Sequence, residues 1–195
     1  STLKADQSLV CDVVVVGTGA GGGMMARELA EAGVDVIAIE MGANHKPKDF
    51  NQLEDEMFER LFQQRGAQAT VDMKIRVISG IGVGGSTVHN TNLCRRTPAA
   101  LLQRWQKEHQ VSGALAADLK GAFEKTEREL NVKTMGPSEL NRGNELFKKG
   151  INKLGYKGGF LAHNRMNCQR SGFCELGCAY DAKQNSAKVL IPKAL

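Results

Sequence analysis

The chain has 195 residues, 42% of them hydrophobic and 24% charged, an ordinary globular composition with length for one domain or slightly more. It contains no apolar run of about eighteen residues, which excludes a spanning helix. The formal net charge of +5 gathers in the second half as single lysines on helical patterns (Lys120, Lys125, Lys148, Lys149, Lys153) without interleaved aromatics, a solvated face rather than a nucleic-acid groove.

The valines from Val13 to Val16 are too few, and too close to glycines, to form the core of a secretory signal, so the sequence is expected to open directly into its fold. CDVVVVG reads as a buried strand ending in glycine. The helix that follows, from about Ala20 to Ala32, places Met25, Leu29 and Ala32 on one face and stops at Gly33. VDVIAIE is a second strand. Together they form a βαβ unit, with Gly17, Gly19 and Gly22 at GxGxxG between strand and helix.

That spacing has a physical reading. Bare glycines permit a tight turn, let a pyrophosphate approach the backbone and let the helix pack closely on the strand, while the helix N-terminus supplies free N–H groups and positive dipole. Glu40 ends the second strand eighteen residues after Gly22, where a carboxylate can accept hydrogen bonds from an adenosine ribose and would repel a 2′-phosphate. Gly17, Gly19, Ala20, Gly22 and Glu40 are therefore expected to bind a dinucleotide. A glycine-rich turn without ligand is the alternative.

Residues 43–75 are polar and acidic, with a surface helix expected within LEDEMFERLFQQ. KIRVISG then leads into a second glycine cluster, GIGVGGSTVHN at 80–90. One glycine turn suffices for a nicotinamide dinucleotide, so a second points to a longer or more enclosed cofactor. Between 98 and 160, PAALLQRWQKEH, DLKGAFEKTERELN and NELFKKGINKLG carry apolar residues at three and four spacing and read as helices. Trp105, the one tryptophan, is expected in the core beside Leu101 and Leu102.

A cysteine-rich loop and a helix follow in 161–195. Five cysteines, with Cys11 and Cys94 isolated and Cys168, Cys174 and Cys178 clustered, do not match the even framework of a small secreted scaffold; a reducing, cytoplasmic compartment is expected.

The fingerprint GTGAGG followed by IEMG, the stretch GIGVGGSTVHN and the segment CQRSGFCELGCAYDAKQNSAKVLIPKAL together resemble the GMC (glucose–methanol–choline) family of FAD-dependent oxidoreductases over essentially the whole chain. The resemblance implies an α/β fold, a Rossmann-like FAD-binding domain with a helical insertion, as the N-terminal part of a larger two-domain protein. The βαβ site and second glycine loop occupy 1–97, the helical segment 98–160 and the Cys-rich loop and helix 161–195. It implies that the second cluster lies along the pyrophosphate, ribityl and isoalloxazine portion of FAD, with Gly84 and Gly85 admitting the cofactor, Ser86 and Thr87 as hydrogen-bonding groups and Asn90 on the flavin side. The sequence departs from the family pattern at Ile81 and Cys94, on the substrate side.

His89 falls where some members join a histidine to the flavin 8α carbon and others only pack it, and both remain open. The implied activity is hydride transfer from an alcohol or sugar to flavin, with electrons passing on to an acceptor that can be a partner protein. The histidine base and the substrate domain are expected beyond Leu195. His45, His109 and His163 match no catalytic position. Cys168, Cys174 and Cys178, spaced C-x5-C-x3-C, resemble an iron–sulfur loop of some bacterial relatives; free thiols, a disulfide, or zinc with a fourth ligand are the alternatives. A dinucleotide-binding module without chemistry and a nicotinamide-dependent dehydrogenase are the competing functions.

Overall fold

The computed structural model describes residues 5–195 and divides them into two compact units. The first comprises the residues up to Asn92 with Met166–Leu195, and the second is Leu93–Arg165.

In the first unit, β1 (Val13–Val16) and β2 (Val36–Ile39) pair in parallel, Val13 opposite Val36 and Val16 opposite Ile39, around α1 (Ala20–Glu31). The glycine-to-glycine reading of this unit matches the observed elements, with α1 ending where Gly33 adopts φ +80°. Two details differ. β1 is not buried throughout: only Val15 is in the core, while Val14 and Val16 are exposed, because α1 covers one face of a two-stranded sheet. The buried side of α1 is Gly23, Ala26 and Arg27, not Met25, Leu29 and Ala32. Gly23 lies against Ser186, and the inward Arg27 pairs with Glu28 and Glu31 of its own helix.

α2 (Glu54–Leu61) follows, with Glu54, Asp55 and Glu56 in its first turn, where carboxylates favour the helix dipole. Its polar sequence conceals a narrow apolar stripe. Met57 and Leu61, one turn apart, join Phe50, Phe62, Val88 and Leu176 in the main core, with Phe58 stacked on Phe62 at 4.3 Å between ring centroids. A small antiparallel pair follows, β3 (Gln68–Ala69) with β4 (Arg76–Val77).

The second unit opens with β5 (Leu93–Cys94) and three of the expected helices: α3 (Ala99–His109), α4 (Lys120–Glu129) and α5 (Arg142–Lys153). Asn141 caps α5, its Oδ1 accepting from the Asn144 N–H at 2.9 Å. The helical pattern left out a sheet. β6 (Val132–Thr134) and β7 (Ala162–Asn164) combine with β5 in the order β5–β7–β6, antiparallel throughout. Strands of two or three residues are too short to show an alternating pattern. Trp105 is also not a core residue: it is 39% exposed, whereas Leu102 on the same helix is 1% exposed.

Met166–Leu195 completes the first unit with a π-helical turn, Ser186–Leu190, running into α6 (Ile191–Ala194). Both pack on α1. Helices and small sheets thus alternate, and the widest sheet among the described residues has three strands. No described helix is long and apolar enough to cross a membrane.

Candidate functional site

A groove of about 810 Å³ opens in the first unit, a size ordinary for a cofactor or ligand pocket. One wall is the turn from β1 into α1, through Val16, Gly17, Gly19 and Ala20, with Ile39, Glu40 and Met41 from the end of β2. The other is the second glycine cluster, through Gly80, Gly85, Ser86, Thr87 and Asn90. The two glycine runs, at 17–23 and 80–90 in the sequence, face one another here; a Cβ added to Gly85 would lie 3.0 Å from the Cα of Gly19.

Gly22 does not line the groove. A Cβ there would overlap Gly17 O, lie 2.9 Å from Gly17 C and 3.3 Å from Val15 Cγ1, so its bare Cα lets α1 seat on β1. Gly19, at the N-cap, offers no side chain, and no side chain caps the leading N–H groups of α1. Uncapped amides at a helix start form a ready anion site.

Glu40 organises this end of the groove. Its Oε2 accepts from Thr18 N–H at 3.0 Å and Thr18 Oγ1 at 2.8 Å, and its Oε1 accepts from Gly42 N–H at 3.0 Å. Burial opposes its ionisation, but the hydrogen bonds from Gly42 and Thr18 outweigh it and hold the carboxyl below its ordinary range. Thr18 passes the linkage onward: its Oγ1 accepts from Gly84 N–H at 3.1 Å and its carbonyl accepts from Ser186 Oγ at 2.8 Å.

The hydroxyls of the second cluster serve the loop itself. Ser86 Oγ accepts from Gly80 N–H, while Thr87 Oγ1 donates to Gly84 O and accepts from Ser186 N–H at 3.0 Å. Asn90 Nδ2 donates to Ser86 O and Thr87 O, and its Oδ1 accepts from Asn92 N–H. Ser86, Thr87 and Asn90 therefore present a braced backbone to the groove.

His89 is placed differently from the rest of its motif. It is 5% exposed and absent from the groove lining, its ring lies on Phe62 with centroids 4.0 Å apart, and neither ring nitrogen has a hydrogen-bond partner. Burial, reinforced by the nearby Lys183 ammonium, pushes the imidazole down to about 4. Its folded value lies below its unfolded one of 6.5, so the unfolded chain binds the proton first and stability falls as pH drops from 6.5 towards 4. The difference corresponds to about 3 kcal/mol at most, and solvent screening brings the expected loss to about 1–2 kcal/mol. Urea midpoints followed from pH 7.5 to 4.5 should decline more steeply for wild type than for His89→Phe.

Lys183 and Ser186 lie within the segment quoted for the resemblance, and Thr18 within the first fingerprint, but no local signal marked any of them. Their partners are far away in sequence. Cys168, Cys174 and Cys178 are each half-buried and outside any disulfide. Among the described residues, no group of three or more His, Cys, Asp or Glu is arranged to hold a metal ion. Two of the thiols have backbone neighbours instead: Cys168 Sγ accepts from Arg170 N–H and Cys178 Sγ from Ala182 N–H. The iron–sulfur expectation therefore finds no assembled ligand set among the described residues, and the Cys168 and Cys178 thiols are each turned towards their own local backbone.

The GMC oxidoreductase family model matches residues 58–195, a span that includes the second glycine cluster and the Lys183–Ser186 segment. The chain is 30% identical over 190 residues to the long-chain-alcohol oxidase FAO3 of Arabidopsis thaliana, covering 95% of this chain and 25% of that protein. It is 28% identical over 195 residues to the GMC-type oxidoreductase y4nJ of Sinorhizobium fredii, covering 100% of this chain and 38% of the relative. With the GMC-type oxidoreductase Rv0492c of Mycobacterium tuberculosis it shares 32% over 198 residues, covering 98% of this chain and 31% of the relative. The chain thus spans about a quarter to two fifths of the length of these relatives. The chain belongs to the GMC oxidoreductase family.

Proposed function

We propose that this chain is the FAD-binding portion of an enzyme that oxidises a CH–OH group, with Gly17, Gly19, Ala20, Glu40, Gly85, Ser86, Thr87 and Asn90 lining the cofactor site and Gly22 and Gly84 shaping the turns behind it. The observation that supports this reading most is the convergence of two glycine clusters on one groove with the Glu40 carboxylate at its end. The cradle suits the group: the α1 N-terminus for a pyrophosphate, Glu40 for ribose hydroxyls, and a side-chain-poor wall for a flat ring system. The β1–α1–β2 unit is read as the first part of a Rossmann-like sheet.

When bound, FAD supplies the two-electron acceptor for a hydride leaving the carbinol carbon, while a base takes the hydroxyl proton and a carbonyl product remains. The residues of this chain bind and orient. Glu40, held ionised, rejects a 2′-phosphate; Gly19 and Gly85 set the groove width; and Ser86, Thr87 and Asn90 fix the wall. Among the described residues no histidine lines the groove, and the base is assigned to a part of the complete protein outside this groove.

The long-chain-alcohol oxidases among the relatives make an alcohol the favoured substrate class, ahead of a sugar, with electrons passing on to a separate acceptor. The absence of a histidine from the groove equally fits a dinucleotide-binding module without chemistry of its own. Purification of the full reading frame, its visible spectrum, and a panel of alcohols and sugars with an artificial acceptor separate the two. A flavin spectrum with alcohol-dependent reduction is expected. A colourless protein that takes up no added FAD would remove the reading, and bound flavin reduced by no alcohol or sugar would favour the module.

The flavin is expected to be held without a covalent bond, since the His89 ring lies on Phe62 and outside the groove lining. Acid precipitation of the holoprotein should release the yellow colour wholly into the supernatant. Colour that stays with the pellet, and is lost in His89→Ala, would show a bond to this histidine.

A further inference from the structure

Lys183 is 2% exposed and does not line the groove. A buried ammonium is costly unless its three donors are satisfied. Here all three meet backbone carbonyls: Asn90 O at 2.6 Å, Cys174 O at 2.7 Å and Val88 O at 3.2 Å. Val88 and Asn90 flank His89 in the second glycine cluster, whereas Cys174 belongs to the cysteine-rich loop. One cation therefore ties the back of the groove wall to a segment more than eighty residues away in sequence. The same wall is braced from within by the Asn90 amide.

Three converging carbonyls require a compact donor with tetrahedral N–H directions. An apolar side chain of the same length would leave all three buried and unpaired, and the flat fork of a guanidinium cannot meet them together. Of the three carbonyls, that of Asn90 belongs to a residue lining the groove and that of Val88 directly follows the lining residue Thr87, so the ammonium anchors this end of the wall to the cysteine-rich loop from behind.

We propose that Lys183 is a positioning residue, capping the carbonyls of Val88, Asn90 and Cys174 to fix the flavin-side wall of the groove and with it the alignment of bound FAD for reduction. This rests on the FAD reading given above. Burial lowers the Lys183 ammonium to about 8, opposed by the neighbouring Cys174, Cys178 and Glu175 side chains.

The test uses the full-length holoprotein and its Lys183→Met variant at saturating FAD. The readouts are the visible circular dichroism of the flavin and the anaerobic rate of flavin reduction by whichever alcohol reduces wild type fastest. Lys183→Met is expected to alter the flavin dichroism, slow reduction about tenfold and weaken FAD binding by a similar factor, consistent with a small displacement of reacting groups. Leu102→Ala, a buried change in the other unit, should lower the melting temperature while leaving dichroism and rate as in wild type. Wild-type dichroism and rate in Lys183→Met, however unstable the variant, would overturn the proposal.

If Lys183→Met does not accumulate as holoprotein, Lys183→Arg takes its place, with the same altered signature expected and a wild-type signature overturning it. Failure of both variants to fold counts against the proposal, because it assigns Lys183 to folding alone. A wild-type protein that takes up no FAD overturns the cofactor reading instead, which separates the two failures.

Discussion

Gly21→Ala and Gly22→Ala, adjacent substitutions in the first turn of α1, are expected to shift stability in opposite directions. Helix propensity alone treats them alike and favours alanine over glycine by about 1 kcal/mol at each. Nothing lies within 4 Å of a Cβ on Gly21, so that gain should survive. A Cβ on Gly22 meets backbone, Gly17 C at 2.9 Å with the carbonyl oxygen closer still, and Val15 Cγ1 at 3.3 Å. Backbone cannot rotate aside as a side-chain tip can, so α1 must lift off β1. Overpacking of this kind costs about 3 kcal/mol and outweighs the propensity gain. Thermal melts of the holoprotein should show Gly21→Ala slightly above wild type and Gly22→Ala several degrees below it, with FAD retention lost in Gly22→Ala. Equal shifts in the two variants would show that α1 does not press on the β1 turn.

The second large effect is expected from Glu40→Arg. The wild-type carboxylate accepts three hydrogen bonds, two from Thr18 and one from Gly42. Bonds to a charged acceptor contribute more than neutral ones, and orphaned donors add their own cost, so the variant should lose about 3 kcal/mol of folding stability; removal of the acceptor for the ribose hydroxyls should separately weaken FAD binding by about 1–3 kcal/mol, roughly ten- to a hundredfold in dissociation constant. The guanidinium would also attract the 2′-phosphate that the carboxylate repels. Equilibrium dialysis with FAD should read the loss; an unchanged dissociation constant would remove Glu40 from the site. The same bonds give an acid dependence of known sign. The folded Glu40 carboxyl titrates below its ordinary value of 4.5, so its contribution is complete above about pH 4.5 and disappears as pH falls through the lower folded value. Glu40→Gln should flatten that part of the acid-stability curve.

The legible parts of this protein were those written locally. A β-branched run, three glycines at fixed spacing and an acid at the end of the next strand all act within thirty residues, and β1, α1, β2 and Glu40 follow from them. The three helices of the second unit were legible from apolar spacing for the same reason. What escaped was set by distant partners. Thr18, Ser186 and Lys183 have unremarkable neighbours in sequence, and their importance comes from bonds to residues 66 to 168 positions away. Trp105 shows the converse: helical spacing assigned it to a core, but its helix turns Leu102 inward instead. In the cysteine segment, spacing described a ligand set that the backbone does not bring together.

The hydrogen bond from Ser186 to the Thr18 carbonyl spans 168 positions, and this separation orders events during synthesis. The stretch Leu93–Arg165 is continuous in the chain, so the contacts within that unit involve no residue made as late as Ser186. The glycine turn at Gly17–Gly22 is made well before Ser186 and gains this support only once that residue has been added. Closing so long a loop is entropically costly and slow compared with local contacts. The β1–α1 turn therefore gains its brace from Ser186 only after Leu93–Arg165 has been made, and Val14 and Val16 on β1 remain exposed even with the brace in place.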